Sequence, residues 1–269
     1  MSATLSSRPN PSNGHLTMTD ITARIKEATR VPHGEVNHMN TDRIRKCLTG
    51  EKKSLVAYAV GFSFYAEIYL GLEEAWREID ASAPSDSESS EDTGVSAYQN
   101  KIWQLSELIR MDSLNRTERL QADLACLRSL DPAIARLTDR ELNNTHIRED
   151  VRSRIREKPH RLLAYAWVLY QALFNGGRFI RRQLIKAGPK FWGLPEEDDE
   201  GLASFPPPLS FWHVPDDPNY PQEFRCRVKE AEGLLTTAET DDVIEESVGI
   251  ICRCKALTEE LDKRGAGFP

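Results

Sequence analysis

The stretch SLVAYAVGFSFYAEIYLGLEEAWREI, residues 54–79, is apolar on most of its faces when wound as a helix. A helix greasy on nearly every side belongs in the middle of a structure, covered by other elements. The rest of the chain offers helices to cover it. Apolar residues recur at three- and four-residue intervals in most segments, and alternating β-branched runs joined by hairpin turns are nearly absent. The expected fold class is all-α, a single-domain helical bundle.

Punctuation along the chain sets the other boundaries. Residues 1–18 carry no apolar core and read as a disordered lead before an ordered domain over 19–264. Asp20 or Thr19 is placed to cap a first helix whose buried stripe is expected at Ile21, Ile25, Ala28 and Pro32. A separate short segment is expected at 42–48. Residues 81–97 form an acidic, Ser-rich stretch expected to be an exposed, mobile insertion. Leu120, Leu124 and Leu127 mark a helix, and 145–158 reads as a charged surface helix. Residues 159–187 read as one helix, with Pro159 in its first turn and Gly188-Pro189 as its stop. Too many prolines fall in 188–221 for helix or central strand, so a structured loop carrying several aromatics is expected. Helices at 222–236 and 240–264 precede a short polar tail, 265–269.

Composition narrows the function. A net charge of −7 does not favour nucleic acid or an anionic membrane as partner. No apolar run is expected to cross a bilayer. Five scattered cysteines without a secretory signal point to reduced thiols and a cytoplasmic setting. Cys252 and Cys254, two apart on a helix, point to different sides and read as packing rather than a metal site.

Two local features carry chemistry. Lys26, Arg30 and His33, in KEATRVPH, are spaced by four and three residues and share one helical stripe. Spacing alone leaves two readings, a solvated basic face or a site for an anionic ligand with a metal that accepts imidazole. The second feature is Gly176-Gly177 inside the helical run YQALFNGGRFI. Each glycine costs an interior helix about 1 kcal/mol relative to alanine, which is tolerable where a backbone bends or something must approach closely.

Together these stretches resemble the haem oxygenases. KEATRVPH resembles their proximal helix, and FNGGR their glycine-rich distal helix. FSFYAEIYLGLEEAW resembles the helix between, while EFRCRVK and VIEESVGIICRCKALTEEL resemble the last two. The matches fall in family order over about 21–261 and look like a diverged, fungal-type member. The resemblance implies a haem oxygenase-like bundle with a kinked distal helix. Haem would be both cofactor and substrate, cleaved with dioxygen to biliverdin, carbon monoxide and ferrous iron. Electrons would come from an external NADPH-dependent reductase, since no flavin or nicotinamide motif occurs here. His33 would be the iron ligand. Lys26, Arg30 and Arg225 would meet the propionates. Gly176 and Gly177 would let the distal backbone approach the haem, and Tyr69 would lie near the distal water network.

The likeness breaks at Leu173, which stands where the family has the aspartate that holds the distal water. Asn175 is polar but two residues along, about 200° around the helix. Pro221 replaces a family lysine. Ile251, Cys254 and Thr258 replace aromatic and amide haem contacts. Loss of the aspartate leaves open a non-catalytic haem-binding protein, a carrier, buffer or sensor. A third alternative is a di-iron site using Glu67, Glu73 and Glu74, although no His-rich helix accompanies them. His38 is five residues past His33 and off the stripe, and His146, His160 and His213 are expected at the surface or in loops.

Overall fold

A computed structural model describes residues 20–49, 54–82, 95–143, 145–193 and 207–265. The expected lead, most of the acidic insertion, the middle of the Pro-rich loop and the tail after 265 lie outside these residues. Ten α-helices make up the described chain: α1 Ile21–Leu48, α2 Leu55–Ala81, α3 Val95–Ile109, α4 Thr117–Leu130, α5 Pro132–Leu142, α6 Ile147–Glu157, α7 Leu162–Ala172, α8 Arg178–Lys186, α9 Tyr220–Glu232 and α10 Thr237–Gly265. No strand occurs among the described residues.

α2 is the centre of the bundle. It packs against α3, α4, α5, α6 and α7, and its buried residues run around the helix from Val56 to Trp76. By length and composition α2 is long and apolar enough to cross a membrane, contrary to expectation. Yet 78% of its most apolar window is buried inside the protein, so other helices cover that surface. Its charged residues meet partners on several elements: Asp80 pairs with Arg110 after α3, and a ladder of ion pairs joins it to α6. Arg148 reaches Glu67 and Glu74, Arg152 reaches Glu74 and Glu78, and Arg156 reaches Glu78. Partner numbers rise together on both helices, so α2 and α6 run parallel. The same reading makes α1 and α10 parallel, through Arg24–Asp241, Glu35–Lys255 and Arg43–Asp262.

α1 begins where expected. Asp20 is its N-cap, its carboxylate accepting from the Ala23 N–H at 3.0 Å. Two expectations for it fail. The helix runs on without a break through Pro32 to Leu48, absorbing the separate segment at 42–48. Pro32 lacks the N–H that would reach the Ala28 carbonyl, but Ala28 sits on the exposed side. The buried stripe therefore passes through Ile21, Ile25, Thr29 and Val36 rather than Ala28 and Pro32.

The run 159–187 is helical throughout but not uniform. A 3-10 turn at Pro159–Arg161 leads into α7, and the five residues Leu173–Gly177 open into a π turn before α8. A single π turn inside an α-helix is uncommon and concentrates at functional sites. Pro132 at the start of α5, behind the Asp131 cap, and the Thr236–Glu239 capping box of α10 show the same local logic at other helix starts. All five cysteines are free. Cys252 is exposed and Cys254 buried, on different sides of α10 as expected.

His160 departs from expectation: it is buried, not a surface residue. Its Nε2 lies 2.9 Å from Asp242, which also accepts from Arg161 at 2.9 Å and Lys158 at 2.5 Å. Burial lowers the His160 pKa. Burial opposes ionisation of Asp242, but the bonds from Arg161, Lys158 and His160 outweigh it and hold the carboxyl well below the usual range. A carboxyl depressed on folding adds stability that is present above its unfolded pKa and is lost as pH falls below it. The contribution from Asp242 is therefore full above about pH 4 and fades in more acid solution. Asp242→Asn is expected to cost roughly 2–3 kcal/mol at pH 7 by leaving cations short of a partner, a drop of roughly 4–10 °C in Tm. Thermal melts from pH 7 to pH 2 check this, and the variant should lose less stability than the parent below pH 4.

Candidate functional site

A cavity of about 780 Å³ lies between α1 and the α7–α8 run, inside the range of small-molecule and cofactor sites. α1 contributes Lys26, Arg30 and His33. α2 contributes Tyr58, Phe62, Tyr65 and Tyr69. The distal wall is Ala172, Asn175, Gly176 and Gly177, closed by Phe211 and Trp212 from the loop and by Arg225, Ile251 and Cys254 from α9 and α10. The spacing of Lys26, Arg30 and His33 thus puts all three on one wall, and the folded chain brings Tyr69, Gly176, Gly177 and Arg225 to the same space.

The imidazole of His33 is exposed, and no hydrogen bond or ion pair engages it among the described residues. His38 has Asp42 at 3.7 Å. Lys26 is likewise without a polar partner. Arg30 pairs only with exposed Glu27 at 3.3 Å, a contact worth little in water. Arg225 donates from Nε to the Thr22 hydroxyl at 3.2 Å, which anchors it to the start of α1. Among the described residues Lys26, Arg30 and Arg225 therefore line the cavity without a buried counter-charge, while Arg43 pairs with Asp262. The depth of the cavity is aromatic and aliphatic.

The two glycines play different parts. A Cβ built on Gly176 meets nothing within 4 Å, whereas one on Gly177 comes 3.4 Å from Trp212 Cε3 and 3.5 Å from Leu173 Cδ2. Gly176 faces open cavity, and Gly177 is where Trp212 packs against the distal helix. Leu173 is fully buried and is absent from the cavity wall. Leu173 and Asn175 do diverge, but Asn175 is the one that lines the cavity, its amide donating to the Gln171 carbonyl at 2.9 Å. Tyr69 is buried and donates its hydroxyl hydrogen to the Leu169 carbonyl at 3.0 Å. Burial raises its pKa.

The carboxylates of the di-iron alternative are engaged elsewhere. Glu67 and Glu74 pair with arginines of α6. Glu73 accepts from the backbone N–H groups of Arg116 and Thr117 and so caps α4. No cluster of three or more His, Cys, Asp or Glu suited to a metal occurs among the described residues.

Sequence reasoning missed Tyr58, Tyr65 and Trp212. Trp212 Nε1 donates to the Tyr58 hydroxyl at 3.0 Å. The Tyr65 hydroxyl meets Thr258 at 2.6 Å and Asn40 at 3.2 Å. Nothing in 188–221 has a period that would orient Trp212, although the aromatic richness of the stretch was a signal that it packs inward.

No protein-family model and no curated protein matches the chain. Solved structures do. Heme oxygenase-2 from Synechocystis sp. PCC 6803, in complex with heme and NO, aligns with a TM-score of 0.60 at 15% identity, covering 91% of this chain and 86% of that one. Heme oxygenase-1 from the same cyanobacterium, in complex with heme, aligns with a TM-score of 0.56 at 14% identity, covering 91% and 94%. The chain has an all-helical, haem oxygenase-like fold.

Gly176 gives a direct test of the cavity. Gly176→Ala should stabilise the ligand-free protein by roughly 0.5–1 kcal/mol, because the new methyl group meets no atom and the helix gains propensity. Gly176→Leu should melt as a folded protein, yet bind any cavity ligand at least tenfold more weakly. Thermal denaturation and ligand titration of both variants check this.

Proposed function

We propose that this chain binds haem in the α1–distal helix cavity and cleaves it oxidatively to biliverdin, carbon monoxide and ferrous iron. The observation that carries the reading is the unpartnered His33 imidazole opposite a glycine wall, with Lys26, Arg30 and Arg225 at the edge, in a haem oxygenase-like fold. Neutral imidazole is a good iron ligand. Arginine and lysine at an apolar cavity's edge suit a flat apolar ligand that carries carboxylates.

Each residue has a distinct task in this account. His33 holds the iron from the α1 side. Lys26, Arg30 and Arg225 pair with the propionates and so fix the rotation of the macrocycle. Gly176 keeps the opposite wall free of side-chain atoms, leaving room for dioxygen. Phe62, Phe211 and Trp212 give the deep part of the cavity an apolar lining against which the macrocycle can pack. Bound haem supplies the redox-active iron and the carbon skeleton that is oxidised. An NADPH-dependent reductase is the proposed electron donor.

A second reading, haem binding without turnover, is favoured by the distal wall itself. Among the described residues no aspartate or glutamate lines the cavity, and the hydroxyl hydrogen of Tyr69 is taken by a backbone carbonyl. The two readings separate when the haem complex is given a reductase and NADPH under air. The enzyme reading expects the haem absorbance to decay as a biliverdin band rises. A haem spectrum that persists through many equivalents of reductant assigns the chain to binding alone.

A further inference from the structure

Three tyrosines line the cavity, and the structure distinguishes them by where their hydroxyl hydrogens go. Tyr69 donates to the Leu169 carbonyl at 3.0 Å. Tyr65 lies among three acceptors, the Thr258 hydroxyl at 2.6 Å, the Asn40 side-chain amide oxygen at 3.2 Å and the Cys254 backbone carbonyl at 3.2 Å. Tyr58 differs. It is 3% exposed, its oxygen accepts the Trp212 indole N–H at 3.0 Å, and no described residue accepts its hydrogen. A buried hydroxyl donor without an acceptor is costly unless a bound group or water takes the hydrogen.

Trp212 links this hydroxyl to the distal glycines. Its benzo edge is the atom group nearest a Cβ on Gly177, and its N–H is bonded to Tyr58. One indole therefore spans from the glycine wall to the tyrosine. The indole is itself held firmly. Asp123 accepts from the backbone N–H groups of Ser210 at 3.1 Å and Phe211 at 2.8 Å. Arg116 donates to the carbonyls of Phe211 at 3.1 Å and His213 at 2.8 Å. Trp212 sits between these fixed points, with the rings of Phe62 and Phe211 at 5.8 and 4.7 Å. Because the indole N–H occupies a lone pair of Tyr58, it restricts the directions in which the hydroxyl hydrogen can point. Burial keeps Tyr58 protonated.

We infer that Tyr58 is the hydrogen-bond donor of the inner cavity, supplying its hydrogen through a bridging water to a small oxygen-containing ligand held against Gly176 and Gly177. Trp212 is the positioning residue that aims it. The inference rests on the haem reading and deepens it. It gives this chain a distal donor built from α2 and the 210–213 loop, in place of a carboxylate on the distal helix.

The test uses the full chain reconstituted with haem, reduced, and given carbon monoxide as an infrared probe. Tyr58→Phe should keep its haem affinity while the C–O stretch moves to higher wavenumber, and dioxygen affinity should fall about tenfold. Trp212→Phe retains the hydroxyl but frees its rotation, so its C–O band should broaden or split. If haem binds and the Tyr58→Phe band coincides with the parent band, the donor role is overturned while the haem reading stands. A Trp212→Phe band as sharp as the parent's, at the same position, overturns the positioning role. Failure of the parent chain to bind haem overturns both readings together.

Discussion

Arg116 has no surface in contact with water, and an isolated guanidinium in that position would cost several kcal/mol. The cost is offset by a collar of backbone carbonyls, those of Ser113, Leu114, Phe211 and His213. Burial lowers the pKa of the group. Because those carbonyls come from the α4 approach and from a loop nearly a hundred residues later, satisfying one charge forces two distant segments together. Glu73 adds the central helix to the arrangement by accepting the first free N–H groups of α4, where the helix dipole also favours a carboxylate. Asp123 completes it from the next turns of α4 by holding Ser210 and Phe211.

The cavity depends on this joint. With the Trp212–Tyr58 bond and the Arg119 contacts to the Ser210 and His213 carbonyls, it presses Phe211 and Trp212 against α2 and the distal glycines. The floor comes from the apolar faces of α2, and one side wall comes from α1, itself fixed along α10 by three ion pairs. Its opposite wall is the π turn, where the helix widens at the two residues that carry no side chain. A polar edge, an apolar depth and a bare backbone wall thus arise from three separate physical causes: helical periodicity in α1, near-total apolarity in α2, and glycine in the distal run.

Much of this was legible in the sequence because it follows from periodicity. The stripe of Lys26, Arg30 and His33 needed only the 3.6-residue repeat, and the central position of α2 needed only its composition. The course of α1 was less legible. Pro32 normally marks a helix end, and here tertiary packing along α10 carries the helix through it. His160 looked like a surface residue because its partners, Asp242 and Glu239, lie some eighty positions away. The orientation of Leu173 and Asn175 could not be read, since it depends on which face of the distal helix meets the cavity. Tyr58 and Trp212 were hidden for a related reason: their bond joins residues 154 positions apart through a loop without a repeat. Glu67, Glu73 and Glu74 looked available for metal, whereas α4 and α6 already claim them.

The central claim is that His33 is the residue through which the cavity holds haem. Titration of the full chain with haem, beside its His33→Ala variant, tests it most directly. The account predicts one haem per chain with a histidine-ligated ferric spectrum in the parent. It predicts loss of that spectrum in His33→Ala at an unchanged melting profile. A parent that takes up no haem, or a variant whose haem spectrum matches the parent's, would contradict it.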